Sequence, residues 1–110
     1  MCNTVYTIEL DNYQDYKSMT EFQWDTGNSN KNLLKHQITD SECEEVFFDP
    51  AKKQYKDPIH SQTEPRFILI GKTQLGKLLF IAYTIRQSQI RVISARPLNK
   101  KERSLYEKTN

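Results

Sequence analysis

The sequence predicts an α+β fold, an antiparallel β-meander packed against two N-terminal helices and a C-terminal helix. Three observations predict it. Runs 66–71, 77–85 and 90–95 are rich in Ile, Leu, Val and Phe and are separated by short turn-like segments, the pattern of hairpin-connected strands. Helix-start signals flank the meander, Thr39 with Glu42 before it and Asn99 with Glu102 after it. An apolar content of 36% in 110 residues suits one compact sheet-plus-helix core, not two layers of helices around a sheet.

Residues 1–20 read as an N-terminal appendage and 21–110 as a single domain. Within the appendage, 5–10 has the β-branched and aromatic content of a strand, and Tyr13, Tyr16 and Met19 recur at the spacing of a short helix. Phe22-Gln23-Trp24 alternates as a short strand, with Trp24 placed in the core. Asp25 is expected to cap a helix reaching His36, with Leu33 and Leu34 facing inward and Lys35 and His36 in the last turn, where positive charge suits the helix dipole. Cys43, Val46 and Phe47 form the apolar face of a second helix, which Asp49-Pro50 ends. Residues 50–65 carry three prolines and room for a short edge strand near 54–56.

The first hairpin is expected to turn over 73–76, which sets Arg66 opposite Tyr83. The second is expected to turn over 86–89, which pairs Ile85 with Ile90 and avoids placing Arg86 opposite Arg91. Pro97 stops the meander. The final helix then presents Lys100, Lys101 and Arg103 outward and Leu105 and Tyr106 inward.

Charge divides the chain. Residues 65–110 hold ten Lys/Arg against two acids, a net of +8, whereas residues 1–64 carry −6. A basic half suits a polyanion, nucleic acid above all, and an acidic half would confine that contact to one surface. No apolar run approaches the roughly 20 residues of a membrane span, and the first ten residues lack the marks of a secretory signal. Cys2 and Cys43 form neither a disulfide framework nor a zinc pattern, so both are read as reduced thiols of a cytoplasmic protein, Cys43 in the core and Cys2 exposed. Nucleotide-hydrolase, dinucleotide, zinc-protease and serine-hydrolase signatures are absent, and no cofactor or metal is expected.

Several stretches read together. Phe22-x-Trp24-Asp25, Asn32-Leu33-x-Lys35-His36, Val46-Phe47-x-Asp49-Pro50, Arg66-Phe67-Ile68-x-Ile70-Gly71, Tyr83-Thr84-x-Arg86, and the run 90–96 followed by Glu102-Arg103-x-x-Tyr106-Glu107 resemble the BrnT toxin family over about residues 22–107. Thr26 and Asn28 stand where that family usually has proline and lysine, and Pro65 replaces the second of two acids. The resemblance implies a RelE-like ribonuclease, the toxin of a bacterial type II toxin–antitoxin pair. It implies a BrnA-like ribbon-helix-helix antitoxin in a 2:2 heterotetramer, which would bind the pair's own promoter DNA.

RNA cleavage without a metal needs a base for the 2′-hydroxyl proton, an acid for the leaving 5′-oxygen and cations around the phosphorane. Arg66, Arg91 and Arg96 are the candidates for the cations, since a guanidinium meets phosphate bidentately and stays charged. His36 and Glu64 are the proton-transfer candidates, with His60, in a Pro-flanked loop, a weaker one. Each has a plainer reading, His36 as a dipole partner and Glu64 as an ion-pair partner of Arg66 or Lys72. Lys35, Tyr83, Arg86, Lys100, Lys101 and Arg103 are candidate RNA contacts. Arg91 and Arg96, five apart, would face opposite ways on a regular strand unless a turn brings Arg96 round. Two non-catalytic alternatives fit the same charge pattern, a basic nucleic-acid-binding module and an interaction subunit that only engages its antitoxin.

Overall fold

A computed structural model describes residues 21–61 and 63–108. The strand at 5–10, the helix near 13–19 and the exposure of Cys2 lie outside the described residues. Four strands, β1 (Lys53–Lys56), β2 (Phe67–Lys72), β3 (Leu78–Arg86) and β4 (Gln89–Pro97), form one antiparallel sheet in that order. Helices α1 (Lys31–His36) and α2 (Asp40–Val46) precede the sheet and α3 (Lys100–Glu107) follows it.

The period-2 alternation of β3 buries Leu79, Ile81 and Tyr83 on one face. Cys43, Val46 and Phe47 cover that face and join Leu69, Val92 and Ile38 in the core. The start of α2 is set locally. The Thr39 hydroxyl accepts the Glu42 N–H at 3.0 Å, and the Glu42 carboxylate accepts the Thr39 N–H at 2.9 Å. Aromatic edges fix the centre: Phe47 meets Tyr83 at 5.0 Å and Phe22 at 5.2 Å between centroids, both edge-on, pairs worth roughly 0.5–1.5 kcal/mol each beyond burial. Burial pushes the Cys43 thiol up to about 12, with the charges of Asp40, Glu42 and Glu44 adding to it, so it behaves as a small apolar side chain.

The first helix departs from expectation. It begins at Lys31, after a run of turns, with Asn30 and Gln37 at its ends both in left-handed backbone. Leu34 is 92% exposed and Leu33 41%, whereas Asn32 is buried. The Asn32 side-chain carbonyl accepts the Ala95 N–H at 3.0 Å. A polar inner residue is right here because α1 lies against β4, whose backbone donor needs a partner. Phe22 likewise makes only a single parallel bridge, to Ile90, rather than a strand.

Both hairpins keep their positions but not their details. The Gly76 backbone, at φ 96°, lets the first connection span five residues, 73–77, closed by the Thr73 N–H on the Lys77 carbonyl at 2.8 Å. The register therefore moves by one, and Phe67, not Arg66, lies opposite Tyr83. The second hairpin pairs Ile85 with Ile90 as expected and also Arg86 with Gln89, leaving a two-residue loop, Gln87-Ser88, with both φ angles positive.

β4 carries one extra residue. Ala82 pairs with Ser94 and Tyr83 with Val92, so Ile93 has no cross-strand partner. The bulge reverses the alternation: Val92 and Ala95 both face the core. Arg91, opposite Thr84, and Arg96, opposite Phe80, consequently share the other face despite their odd spacing.

α3 closes that second face largely through polar contacts. Its capping box forms between Asn99 and Glu102, the Tyr106 hydroxyl donates to Asp49 at 2.7 Å, and Lys53 donates to the Leu105 and Lys108 carbonyls. Burial, then the hydrogen bond to Asp49, raises the Tyr106 phenol to about 12. Leu105, expected inward, is 41% exposed; no α3 residue is fully buried.

Gly71 sits where β2 passes beneath α2. A Cβ there would lie 2.8 Å from Val46 Cγ1 and 3.1 Å from the Asp49 carboxylate. Gly71→Ala is expected to destabilise the fold by about 1–3 kcal/mol, as overpacking does, read as a lower urea midpoint at unchanged slope.

Candidate functional site

Charged side chains gather where β2 begins, β3 ends and β4 begins. Glu64 receives the Arg86 guanidinium bidentately, at 2.9 and 2.7 Å. Asp25 receives Arg91 in the same way, at 2.8 and 3.1 Å, and Gln23 accepts a further Arg91 N–H at 3.0 Å. The two pairs sense each other. Arg86 first, through its hydrogen bonds and then its charge, with the charges of Arg66 and Arg91, holds the Glu64 carboxyl below its ordinary value. Asp25 is lowered chiefly by Arg91, then by the Gly27 N–H, with smaller help from the charge of Arg86.

The local sequence explains this geometry. Asp25 turns out not to cap a helix; its carboxylate accepts the Gly27 N–H at 2.8 Å in a tight turn and then reaches Arg91. A Cβ at Gly27 would stand 2.9 Å from Arg91 Nη2, so glycine here leaves the guanidinium room against Asp25. Asn28 is buried and donates to the Gln23 and Val92 carbonyls at 3.0 Å each, which ties this turn to β4.

Arg66 differs from Arg86 and Arg91. It enters β2 with its backbone bonded to Ser61 and Asp57, but its guanidinium makes no hydrogen bond or ion pair among the described residues. It is therefore a cation without a committed acceptor beside two that have one.

The remaining sequence candidates lie elsewhere. Arg96 is held bidentately by Glu102 at 2.8 Å and stacks 3.9 Å over Phe80. His36 shares a groove with Lys77, Pro97 and Arg103 near the start of β3. β3 has nine residues and so spans roughly 27 Å, which separates His36 from the Glu64–Arg86 pair at its far end. Tyr83 is only 1% exposed, with Phe67 stacked on its ring and its hydroxyl accepting from Gln54 at 2.9 Å. Its ring and hydroxyl are thus committed to the core, away from the surface where the other candidate RNA contacts stand. Lys35, Lys100, Lys101 and Arg103 are exposed on α1 and α3. Among the described residues no three His, Cys, Asp or Glu side chains gather as metal ligands, and no helix is long and apolar enough to cross a membrane.

Two further features escape the sequence reading. The partner of Arg91 is 66 residues away in Asp25. His60 Nδ1 lies 2.8 Å from the Asp57 carboxylate in the β1–β2 loop. The only local sign of the second is the run Asp57-Pro58-Ile59-His60, whose Asp-Pro start has the composition of a side-chain-capped turn.

The family model described as the ribonuclease toxin BrnT of type II toxin–antitoxin systems matches residues 24–102. The chain belongs to the BrnT family of ribonuclease toxins. No curated protein matches it in sequence. The matched span of this BrnT chain runs from Trp24 to Glu102, so it contains the Arg91–Asp25 and Arg86–Glu64 pairs, Arg66, and the Arg96–Glu102 clamp. A type II system also supplies an antitoxin partner.

The clamp carries a pH dependence. The Arg96 hydrogen bonds, opposed by partial burial and helped by the Asn99 N–H, hold the Glu102 carboxyl below its ordinary value of 4.5. A depressed carboxyl stabilises the fold above its unfolded value and loses that contribution as pH falls through the folded value. Glu102→Gln is expected to be less stable than wild type at pH 7, with the gap closing below about pH 4.5 as wild type loses its advantage, measured by thermal unfolding across pH.

Proposed function

We propose that this chain arrests growth by cleaving RNA through general acid/base chemistry without a metal ion, at the end of the sheet where Arg66, Arg86 and Arg91 gather. The observation that carries the reading is Arg66, a guanidinium with no committed acceptor beside the Arg86–Glu64 and Arg91–Asp25 pairs. Arg66 would take the scissile phosphate first. Arg86 and Arg91 are presented in bidentate geometry to carboxylates, and a phosphate oxygen pair can replace a carboxylate in the same fork.

The 2′-oxygen then attacks phosphorus as its proton leaves to a base. The P–O5′ bond breaks, the 5′-oxygen gains a proton, and a 2′,3′-cyclic phosphate remains. Glu64, kept ionised by Arg86, is a weak base and a poor acid. Arg96 supports the site from a distance by fixing α3 to β4. His36 with Lys35, Lys100, Lys101 and Arg103 provides a basic approach surface for the RNA chain. The proposed neutralising partner is a BrnA-like ribbon-helix-helix antitoxin that binds promoter DNA in a 2:2 assembly, and the proposed setting is the cytoplasm with a RelE-like mode of action.

One observation favours a second reading. Three of the arginines, Arg86, Arg91 and Arg96, already have their forks filled by carboxylates, as suits an antitoxin-binding subunit without activity.

The test is RNA cleavage by the antitoxin-free chain in excess EDTA, with Arg66→Ala and Arg91→Ala alongside. Fragments ending in 2′,3′-cyclic phosphate are expected, reduced about 10²-fold or more in Arg66→Ala, the usual cost of a lost transition-state contact. Intact RNA from the wild-type chain would overturn the catalytic reading in favour of the second.

A further inference from the structure

The loop joining β1 to β2 is tied at its base. The Asp57 N–H donates to the Arg66 carbonyl at 2.8 Å, and the Arg66 N–H donates to Ser61 Oγ at 2.9 Å. The Ser61 hydroxyl closes the loop on the Asp57 carbonyl. Within it, Asp57 Oδ1 accepts the N–H groups of Ile59 and His60 at 3.1 and 3.3 Å. The other oxygen, Oδ2, holds His60 Nδ1 at 2.8 Å. Partial burial raises the Asp57 carboxyl, but the ring and backbone hydrogen bonds of His60 outweigh it and the net shift is downward, so the carboxylate stays charged.

That arrangement does to an imidazole what a catalytic site requires. A carboxylate on Nδ1 fixes the tautomer with the proton on Nδ1 and leaves the Nε2 lone pair outward. The His60 side chain is 62% exposed and its Nε2 has no partner among the described residues, whereas Asp57 is mostly covered at 14%. The tie between Ser61 and Arg66 places this ring at the base of the strand that carries the uncommitted guanidinium. The charged groups at this end of the sheet are Glu21, Asp25, Lys56, Asp57, Glu64, Arg66, Arg86 and Arg91. His60 is the imidazole among them, the side-chain type suited to general-base work in neutral solution.

We propose that His60, aimed by Asp57, is the general base of the cleavage reaction. This rests on the ribonuclease reading above. His60 Nε2 takes the proton of the 2′-hydroxyl as the O2′–P bond forms. The P–O5′ bond breaks, and a water supplies the proton to the departing 5′-oxygen. Asp57 is the positioning residue, and Arg66 receives the phosphate oxygens.

His60→Gln is expected to slow cleavage about 10²-fold or more while keeping the fold. Exogenous imidazole should restore part of the rate in His60→Ala. Asp57→Asn should lower kcat at unchanged KM, with part of the rate restored by Asp57→Glu; a purely structural role for Asp57 would not be rescued by the conservative variant. An active wild-type chain with His60→Gln equally active would overturn the proposal without touching the ribonuclease reading. A wild-type chain that leaves RNA intact fails the ribonuclease reading instead, and the placement is then decided by NMR titration of the His60 ring with uridine 3′-phosphate. A ring pKa raised by the nucleotide supports His60 at a phosphate site; an unmoved ring overturns it.

Discussion

One unpaired residue, Ile93, decides what the sheet can present. Were it paired in a regular ladder, the strand that buries Ile90 and Val92 would send Ala95 to the surface and Arg96 into the core. Bulged out of the ladder, it lets the apolar sequence on both sides face α1 and α2, and both arginines of β4 emerge on the opposite side. Arg96 can then lie over Phe80 and bind Glu102, which anchors α3, while Arg91 at the other end reaches Asp25. The two faces of the molecule are therefore set by one local insertion, stabilised by packing on one side and ion pairs on the other.

The ion pairs also revise the picture of a chain split into acidic and basic halves. Arg91–Asp25, Arg86–Glu64 and Lys77–Glu42 each join a cation from the later half to an acid from the earlier half. Folding lays the halves against each other, so much of the +8 is neutralised where it stands. What remains of the later half's charge without a carboxylate partner, among the described residues, is Arg66, Lys72, Lys100, Lys101, Arg103 and Lys108. Each such pair on the surface adds little stability, but a guanidinium held in a bidentate grip is pre-oriented for any ligand that can take the carboxylate's place.

Much of the fold was legible because its signals are local. The meander, both capping boxes, the edge strand and the burial of Cys43 follow from neighbours within a few positions, whereas α2 ends at Val46, ahead of the expected stop at Asp49-Pro50. Register was less legible. A glycine with positive φ lengthens the first connection by one residue and exchanges Phe67 for Arg66 opposite Tyr83. Buried amides were illegible: Asn32 displaces Leu33 and Leu34 from the inner face because an unpaired strand donor outranks an apolar stripe on a helix of six residues. For the site, residue types suggested arginine and histidine chemistry, but partners lie far apart in sequence. Asp25 and Arg91 are 66 positions apart and Glu64 and Arg86 are 22, and no pattern of spacing foretells either.

Cys43 gives the molecule a clock. Its thiol is fully covered beneath α2 and burial keeps it protonated, so in the native state it is inert to alkylating reagents. It can react only when α2 lifts from Leu69, Ile81 and Tyr83, which amounts to opening the core itself. The labelling rate of this one atom therefore counts excursions from the native state. Any ligand that binds only the closed form, antitoxin included, must slow it in proportion to occupancy.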